Sequence, residues 1–94
     1  MTKAQYLKYL NHTLIPDLRE SGRDFMANDF DDLARLVSGK AKHAHHDGRS
    51  ASEFVYYLNH TLIPDLYESG SEEMANDFVE GIKLLKKKSS KRKR

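Results

Sequence analysis

The histidines are the residues of this chain best suited to metal binding or acid–base chemistry. His43, His45 and His46 form the tract HAHH, which lies between Gly39 and Gly48. Clustered imidazoles take up zinc or nickel. The tract has no second group of ligands at a defined spacing, so it predicts a weak metal site. The favoured interpretation is a flexible, solvated linker.

His12 and His60 are the other titratable candidates, and each could serve as a general base. In a helix, neither has a carboxylate three or four residues away to orient it, and no positioned nucleophile accompanies them. Cysteine is absent, as are the sequence patterns of phosphate loops, zinc proteases, serine hydrolases and EF-hands. The sequence therefore predicts a protein that is not an enzyme and carries no cofactor.

The strongest functional signal is the C-terminal tract KKKSSKRKR, residues 86–94. Residues 1–85 hold nine Lys or Arg against fourteen Asp or Glu, a net charge of −5, whereas the tract carries +7. Such a run predicts a disordered tail that binds nucleic acid or another polyanion by counterion release. A nuclear import signal, a weak anchor to anionic lipid and a solubilising tail are the alternatives. The cationic residues are Lys86, Lys87, Lys88, Lys91, Arg92, Lys93 and Arg94.

The elements that carry these residues come from an internal duplication. The decapeptide YLNHTLIPDL at 9–18 recurs at 57–66, and 6–37 aligned with 54–85 gives 19 identities in 32 positions without a gap, at an offset of 48. Each copy begins with a capping box, Thr2 with Gln5 and Ser50 with Glu53. The duplication predicts two units of the same local structure.

Each unit reads as a helical hairpin. Apolar residues recur at helical spacing before and after a glycine, Gly22 or Gly70, that is placed to end a helix with a positive φ. The predicted core positions are Leu7, Leu10, Leu14 and Leu18, then Met26, Phe30, Leu33 and Val37, then Val55, Leu58, Leu62 and Leu66, and finally Met74, Phe78, Ile82 and Leu85.

One hairpin of this size buries too little surface to be stable alone, so two must pack together. The sequence predicts a single all-α domain over 1–85, a pseudo-two-fold four-helix bundle of two tandem αα-hairpins. Repeat one covers 2–37, the linker 38–49 and repeat two 50–85, before the tail at 86–94. Gly81 stands at the position of Leu33, which indicates either a closer backbone approach there or a looser site.

Pro16 and Pro64 lie inside what periodicity predicts to be one continuous helix in each repeat, which indicates a kink. On a regular helical wheel Tyr9, His12 and Pro16 share the outward side, and both repeats keep all three types. Recent duplication explains this identity simply. The alternative is a surface for a protein partner, presented twice, with Tyr57, His60 and Pro64 as its second copy.

These observations favour a non-enzymatic interaction or regulatory module. Its acidic body is expected to bind a protein partner and its tail to contact nucleic acid or another polyanion. The alternative is a sequence-nonspecific nucleic-acid-binding protein that acts as an oligomer, and a lesser one is a metal protein built on the histidine linker. A homodimer by hairpin exchange stays open. Without a signal peptide or an apolar run of membrane-spanning length, a cytoplasmic location is expected, or a nuclear one in a eukaryote.

Overall fold

The computed structural model describes the backbone of residues 2–92 and the side chains of residues 2–86. The first helix covers 3–20 in three parts, Lys3–Tyr9, Leu10–Leu14 and Ile15–Glu20, and the second is Asp24–Ser38. The third covers 51–68 as Ala51–Tyr57, Leu58–Leu62 and Ile63–Glu68, and the fourth is Glu72–Arg92. The all-α four-helix bundle is confirmed. The fourth helix enters the predicted tail and runs to Arg92, whereas the predicted disorder of residues 93–94 and the side chains of 87–94 lie outside the described part of the chain.

Local signals in the sequence set where the helices begin and turn. Both predicted capping boxes are present: the hydroxyls of Thr2 and Ser50 accept a hydrogen bond from the third helical residue, whose side chain bonds back to the cap. Gly22 and Gly70 have φ values of 81° and 86°, as predicted. After Gly22, the N–H of Arg23 donates to the carbonyl of Leu18 at 2.8 Å, which closes a Schellman turn.

The two proline-containing helices continue through the proline by widening one turn before it. Leu10–Leu14 and Leu58–Leu62 are π-helical, and the N–H of Ile15 donates to the carbonyl of Leu10, five residues back. A proline ring in a regular α-helix collides with the carbonyl four residues earlier. The wider turn gives the ring of Pro16 room without ending the helix.

The π-turn also changes which residues are buried, and the predicted core positions of the first and third helices are partly wrong. Leu7 and Leu14 are only partly buried. In a π-turn a residue five positions on lies nearly above the first, so Ile15 follows Leu10 on the buried face. The buried positions are Tyr6, Leu10, Ile15 and Leu18, with Phe54, Leu58, Ile63 and Leu66 as their equivalents.

The two hairpins meet along the second and fourth helices, around an approximate two-fold axis. Phe30 and Phe78 are repeat equivalents, and their rings stack with centroids 3.9 Å apart and planes at 10°. The side chain of Leu33 lies against its own equivalent, Gly81. Equivalent residues of the two repeats therefore face each other at two points, one turn apart, on the second and fourth helices.

Gly81 marks the closer approach of the two alternatives that the sequence left open. A Cβ atom there would collide with the hydroxyl of Tyr6 and the side chain of Leu33. The Tyr6 hydroxyl donates to the carbonyl of Asp77 at 2.6 Å, which ties the first helix to the fourth. Burial, followed by the charge on Asp77, raises the pKa of Tyr6 far above its ordinary range. The glycine is therefore required by packing between the repeats.

Within the described part of the chain, no helix combines the length and the apolar character that a membrane crossing requires.

Candidate interaction surface

The duplicated Tyr–His–Pro residues do not share one environment. His12, Pro16, His60 and Pro64 are exposed, and the two π-turns place the histidines on the outside of the bundle. Tyr9 and its equivalent Tyr57 are partly buried and pack against the core. The structure thus leaves a histidine and a proline of each copy open to solvent.

Tyr9 joins the two hairpins. Its hydroxyl donates to a carboxylate oxygen of Asp77 at 2.9 Å. Burial, and then the hydrogen bond to Asp77, raise the pKa of Tyr9 to about 12. Burial also raises the pKa of Asp77, although the bond from Tyr9 opposes this. The tyrosine of repeat one is therefore accounted for by packing, without any partner.

Tyr57 has different neighbours. The guanidinium carbon of Arg49 lies 4.6 Å from the centre of its ring, at cation–π distance. Burial and then the nearby Asp29 raise the pKa of Tyr57. The pKa of Asp29 itself is raised to about 6, first by burial and then by the charges of Asp47 and Asp32. Charged groups of repeat one and of the linker thus surround the tyrosine of repeat two.

A surface that the repeat comparison did not single out lies beside Tyr57. Tyr56 is 65% exposed, and its ring centre lies 4.0 Å from that of His60. The signal was in the sequence, because Tyr56 stands where repeat one has Lys8. We call this surface the aromatic groove. It has a volume of about 560 Å³ and is lined by Arg49, Glu53, Tyr56, Tyr57 and Thr61.

The linker histidines do not converge on one point. His43 pairs through its backbone with Ser50, and the ring of His45 meets that of His46 edge-on at 5.0 Å. His46 turns to the second helix, where its Nε2 lies 3.0 Å from a carboxylate oxygen of Asp31. The three weak metal candidates are thus not brought together as one ligand set.

The structure does gather Asp31, Asp32 and His46, whose potential ligand atoms lie within 4.8 Å of one another. Burial alone would raise the pKa of Asp31, but hydrogen bonds from His46 and then Arg35 outweigh it and lower that pKa. The two carboxylate oxygens of Asp32 accept the backbone N–H groups of His46 at 2.9 Å and Asp47 at 3.2 Å. Asp31 and Asp32 thus hold His46 and Asp47 of the linker against the second helix, and we call this group of contacts the clamp.

The clamp gives the linker defined contacts with the second helix, although most linker residues are exposed, as expected for a solvated linker. Asp32 is fully buried, and so is Ala44 within the linker. The N–H of Ala44 donates to the carbonyl of Arg49 at 2.8 Å, and Arg49 pairs with Asp47 at 2.8 Å. A residue of the second helix thus holds the linker as a defined turn, and Arg49 is fixed by it at the edge of the aromatic groove.

The tail begins next to the third helix. Lys86 lines a second, mainly apolar groove of about 350 Å³ between the ends of the third and fourth helices. The other lining residues are Ala51, Ser52, Val55, Ile82 and Leu85. Six predicted polyanion-binding residues, Lys87, Lys88, Lys91, Arg92, Lys93 and Arg94, lie outside the described side chains.

Comparison with known proteins adds no relative: no protein-family model matches the chain, and neither a curated protein nor a solved structure does.

Proposed function

We propose that the protein is a non-enzymatic interaction module, in which the acidic helical body binds a protein partner and the basic tail contacts nucleic acid or another polyanion. The observation that carries the proposal is the separation of charge along the chain. Residues 1–85 have a net charge of −5, and the nine residues that follow carry +7. Cations concentrated in this way attract a polymer of phosphates far more strongly than the same cations dispersed among acids.

The body supports a scaffold role. Its core is closed by stacked aromatic rings between the repeats, and no described buried side-chain polar atom lacks a hydrogen-bond partner. His12 and Pro16 are exposed, and so are their repeat equivalents His60 and Pro64, so a protein partner meets the same two residue types twice. We call these four residues the His–Pro edge.

The tail is tested by comparing the full chain with a chain that ends at Leu85 and with a full-length variant whose seven tail cations are glutamine. Fluorescence anisotropy with labelled duplex DNA and RNA, from about 50 to 200 mM salt, measures the affinity. If all seven cations contact duplex phosphates, log K falls against log salt with a slope of about −6. Both altered chains lose binding. Equal binding by the glutamine variant rejects the proposed role of the tail.

The His–Pro edge is tested with the full-length glutamine-tail variant as bait, so that polyanions are not captured. A matched bait adds His12→Glu and His60→Glu, which are exposed and do not disturb the core. A protein retained by the first bait and lost from the second supports the edge as the binding surface. Identical capture by both baits places the partner elsewhere on the body.

A further inference from the structure

We propose that the aromatic groove is a stacking platform for single-stranded nucleic acid, with Arg49 at its edge to contact the phosphates of the bound strand. This rests on the proposed contact of the tail with nucleic acid, and it gives the body a direct share in that contact.

The exposed aromatic pair is the first support. Tyr56 is 65% exposed, and its ring lies beside the ring of exposed His60. Every base has a flat π-face, so rings displayed in this way bind single strands with little regard to sequence. In a duplex the faces are already stacked on neighbouring bases. Repeat one has Lys8 at the equivalent position, so duplication does not account for Tyr56.

The floor of the groove suits a base with an attached phosphate. The ring of Tyr57 lies under the guanidinium of Arg49 at 4.6 Å. Arg49 is paired with Asp47 at the surface, where such pairs contribute little and can exchange for a phosphate.

Lys86, the first residue of the tail, lies beside the first turns of the third helix. Ser52 and Lys86 line the second groove together, and Tyr56 follows Ser52 by four residues. One helical turn is about 5.4 Å. Ser52, beside Lys86, is therefore about one helical turn from Tyr56 along the third helix.

Glu53 is the one lining residue that opposes an anion. Its carboxylate accepts the N–H of Ser50 at 3.2 Å in the capping box. In repeat one, Gln5 accepts the N–H of Thr2 at 2.9 Å in the same way. Glu53→Gln therefore keeps the cap and removes the charge, which provides a variant that should bind more tightly.

The test uses the full chain and three variants, Tyr56→Ala, Glu53→Gln and Tyr67→Ala. Tyr67 is a matched control, because it is 44% exposed and bonds to Asn76. The probes are fluorescein-labelled oligothymidylate, a duplex of the same length and oligoglutamate of the same net charge. Affinities are measured by anisotropy at one salt concentration.

We expect Tyr56→Ala to weaken oligothymidylate binding by about five-fold or more, the usual loss for one stacked base, with duplex binding unchanged. Glu53→Gln tightens oligothymidylate binding, and Tyr67→Ala has no effect. The inference is overturned if Tyr56→Ala leaves oligothymidylate binding intact, if it weakens all three probes equally, or if oligoglutamate binds with the same dependence on Tyr56. In those cases the proposed function still stands if duplex binding is lost when the tail is altered. If the unmodified chain shows no tail-dependent binding, the proposed function itself is rejected.

Discussion

Replacing Asp32 with alanine tests whether the linker is held by the buried clamp. Asp32 is fully buried, and its oxygens accept the N–H groups of His46 and Asp47 at 2.9 and 3.2 Å. A hydrogen bond to a charged group contributes about 1.5–3 kcal/mol. Part of this is recovered when the freed N–H groups reach water, so we expect the free energy of unfolding to fall by about 3 kcal/mol. For a domain of this size that is a large share of the total.

Urea denaturation followed by far-ultraviolet circular dichroism at pH 7 measures the loss. Asp31→Ala is the matched control, because Asp31 pairs with the exposed side chains of Arg35 and His46 and should cost less than about 1 kcal/mol. In Asp32→Ala, the amides of His46 and Asp47 should also exchange with deuterium much faster, while those of the second helix stay protected. An Asp32→Ala chain as stable as the Asp31→Ala chain, with both amides still protected, would refute the clamp.

Three further predictions concern the core, the π-turn and the acidic group. Gly81→Ala should lower the free energy of unfolding by about 1–3 kcal/mol through overpacking. Because the added methyl group meets the Tyr6 hydroxyl, Tyr6→Phe in the same chain should recover part of the lost stability. An unchanged melting temperature of the Gly81→Ala chain would contradict this prediction. Deleting the exposed Thr13 together with Pro16→Ala should give a regular α-helix with the same buried side, and a free energy of unfolding within about 1 kcal/mol of that of the unmodified chain. Inserting an alanine at position 13 instead should unfold the hairpin, which circular dichroism would detect as lost helical signal. The pKa of Asp29 rises from 3.8 to about 6 in the folded protein, so its stabilising contribution is complete below pH 3.8 and disappears as pH rises through about 6. The Asp29→Asn chain should then be more stable than the unmodified chain at pH 8, by about 1 kcal/mol after screening at this partly exposed site. The gain in stability should vanish at pH 3.5. If urea titrations give the same difference in stability at both pH values, another group is responsible.

The features that follow from neighbouring residues were predictable from the sequence. A capping box needs a hydroxyl and a Gln or Glu three residues apart, as at Thr2 and Ser50, and a Schellman turn needs a residue such as Gly22 that adopts a positive φ. The duplication then doubled each signal. Because one hairpin cannot bury its apolar side alone, the four-helix bundle followed from the same reasoning.

The π-turn escaped prediction because a wheel with a constant angle per residue was applied through Pro16. That wheel placed Leu14 in the core and Tyr9 opposite it, whereas Ile15 is buried and Leu14 only partly so. The spacing of five residues between Leu10 and Ile15, just before a proline, was a usable signal. It becomes decisive only when the partner helix shows which side is covered.

The candidate site depended more strongly on contacts between distant residues. The exposed His12, Pro16, His60 and Pro64 could be identified from the repeat, but whether the neighbouring tyrosines were free could not. Nothing near Tyr9 in sequence indicates Asp77, 68 residues away, as the partner of its hydroxyl. The His–Pro edge and the role of the tail stay predictions.

The sequence by itself determined the repeat, the helix starts, the glycine turns and the separation of an acidic body from a basic tail, because each depends on residue types within a few positions. Only the tertiary structure decided that Gly81 admits Tyr6 and Leu33, that Asp32 holds the linker, and that Tyr56 lies open beside Arg49. These depend on which surfaces meet when the two hairpins pack. An aspartate or a tyrosine has the same local preferences whether its neighbours across the bundle bury it or leave it exposed.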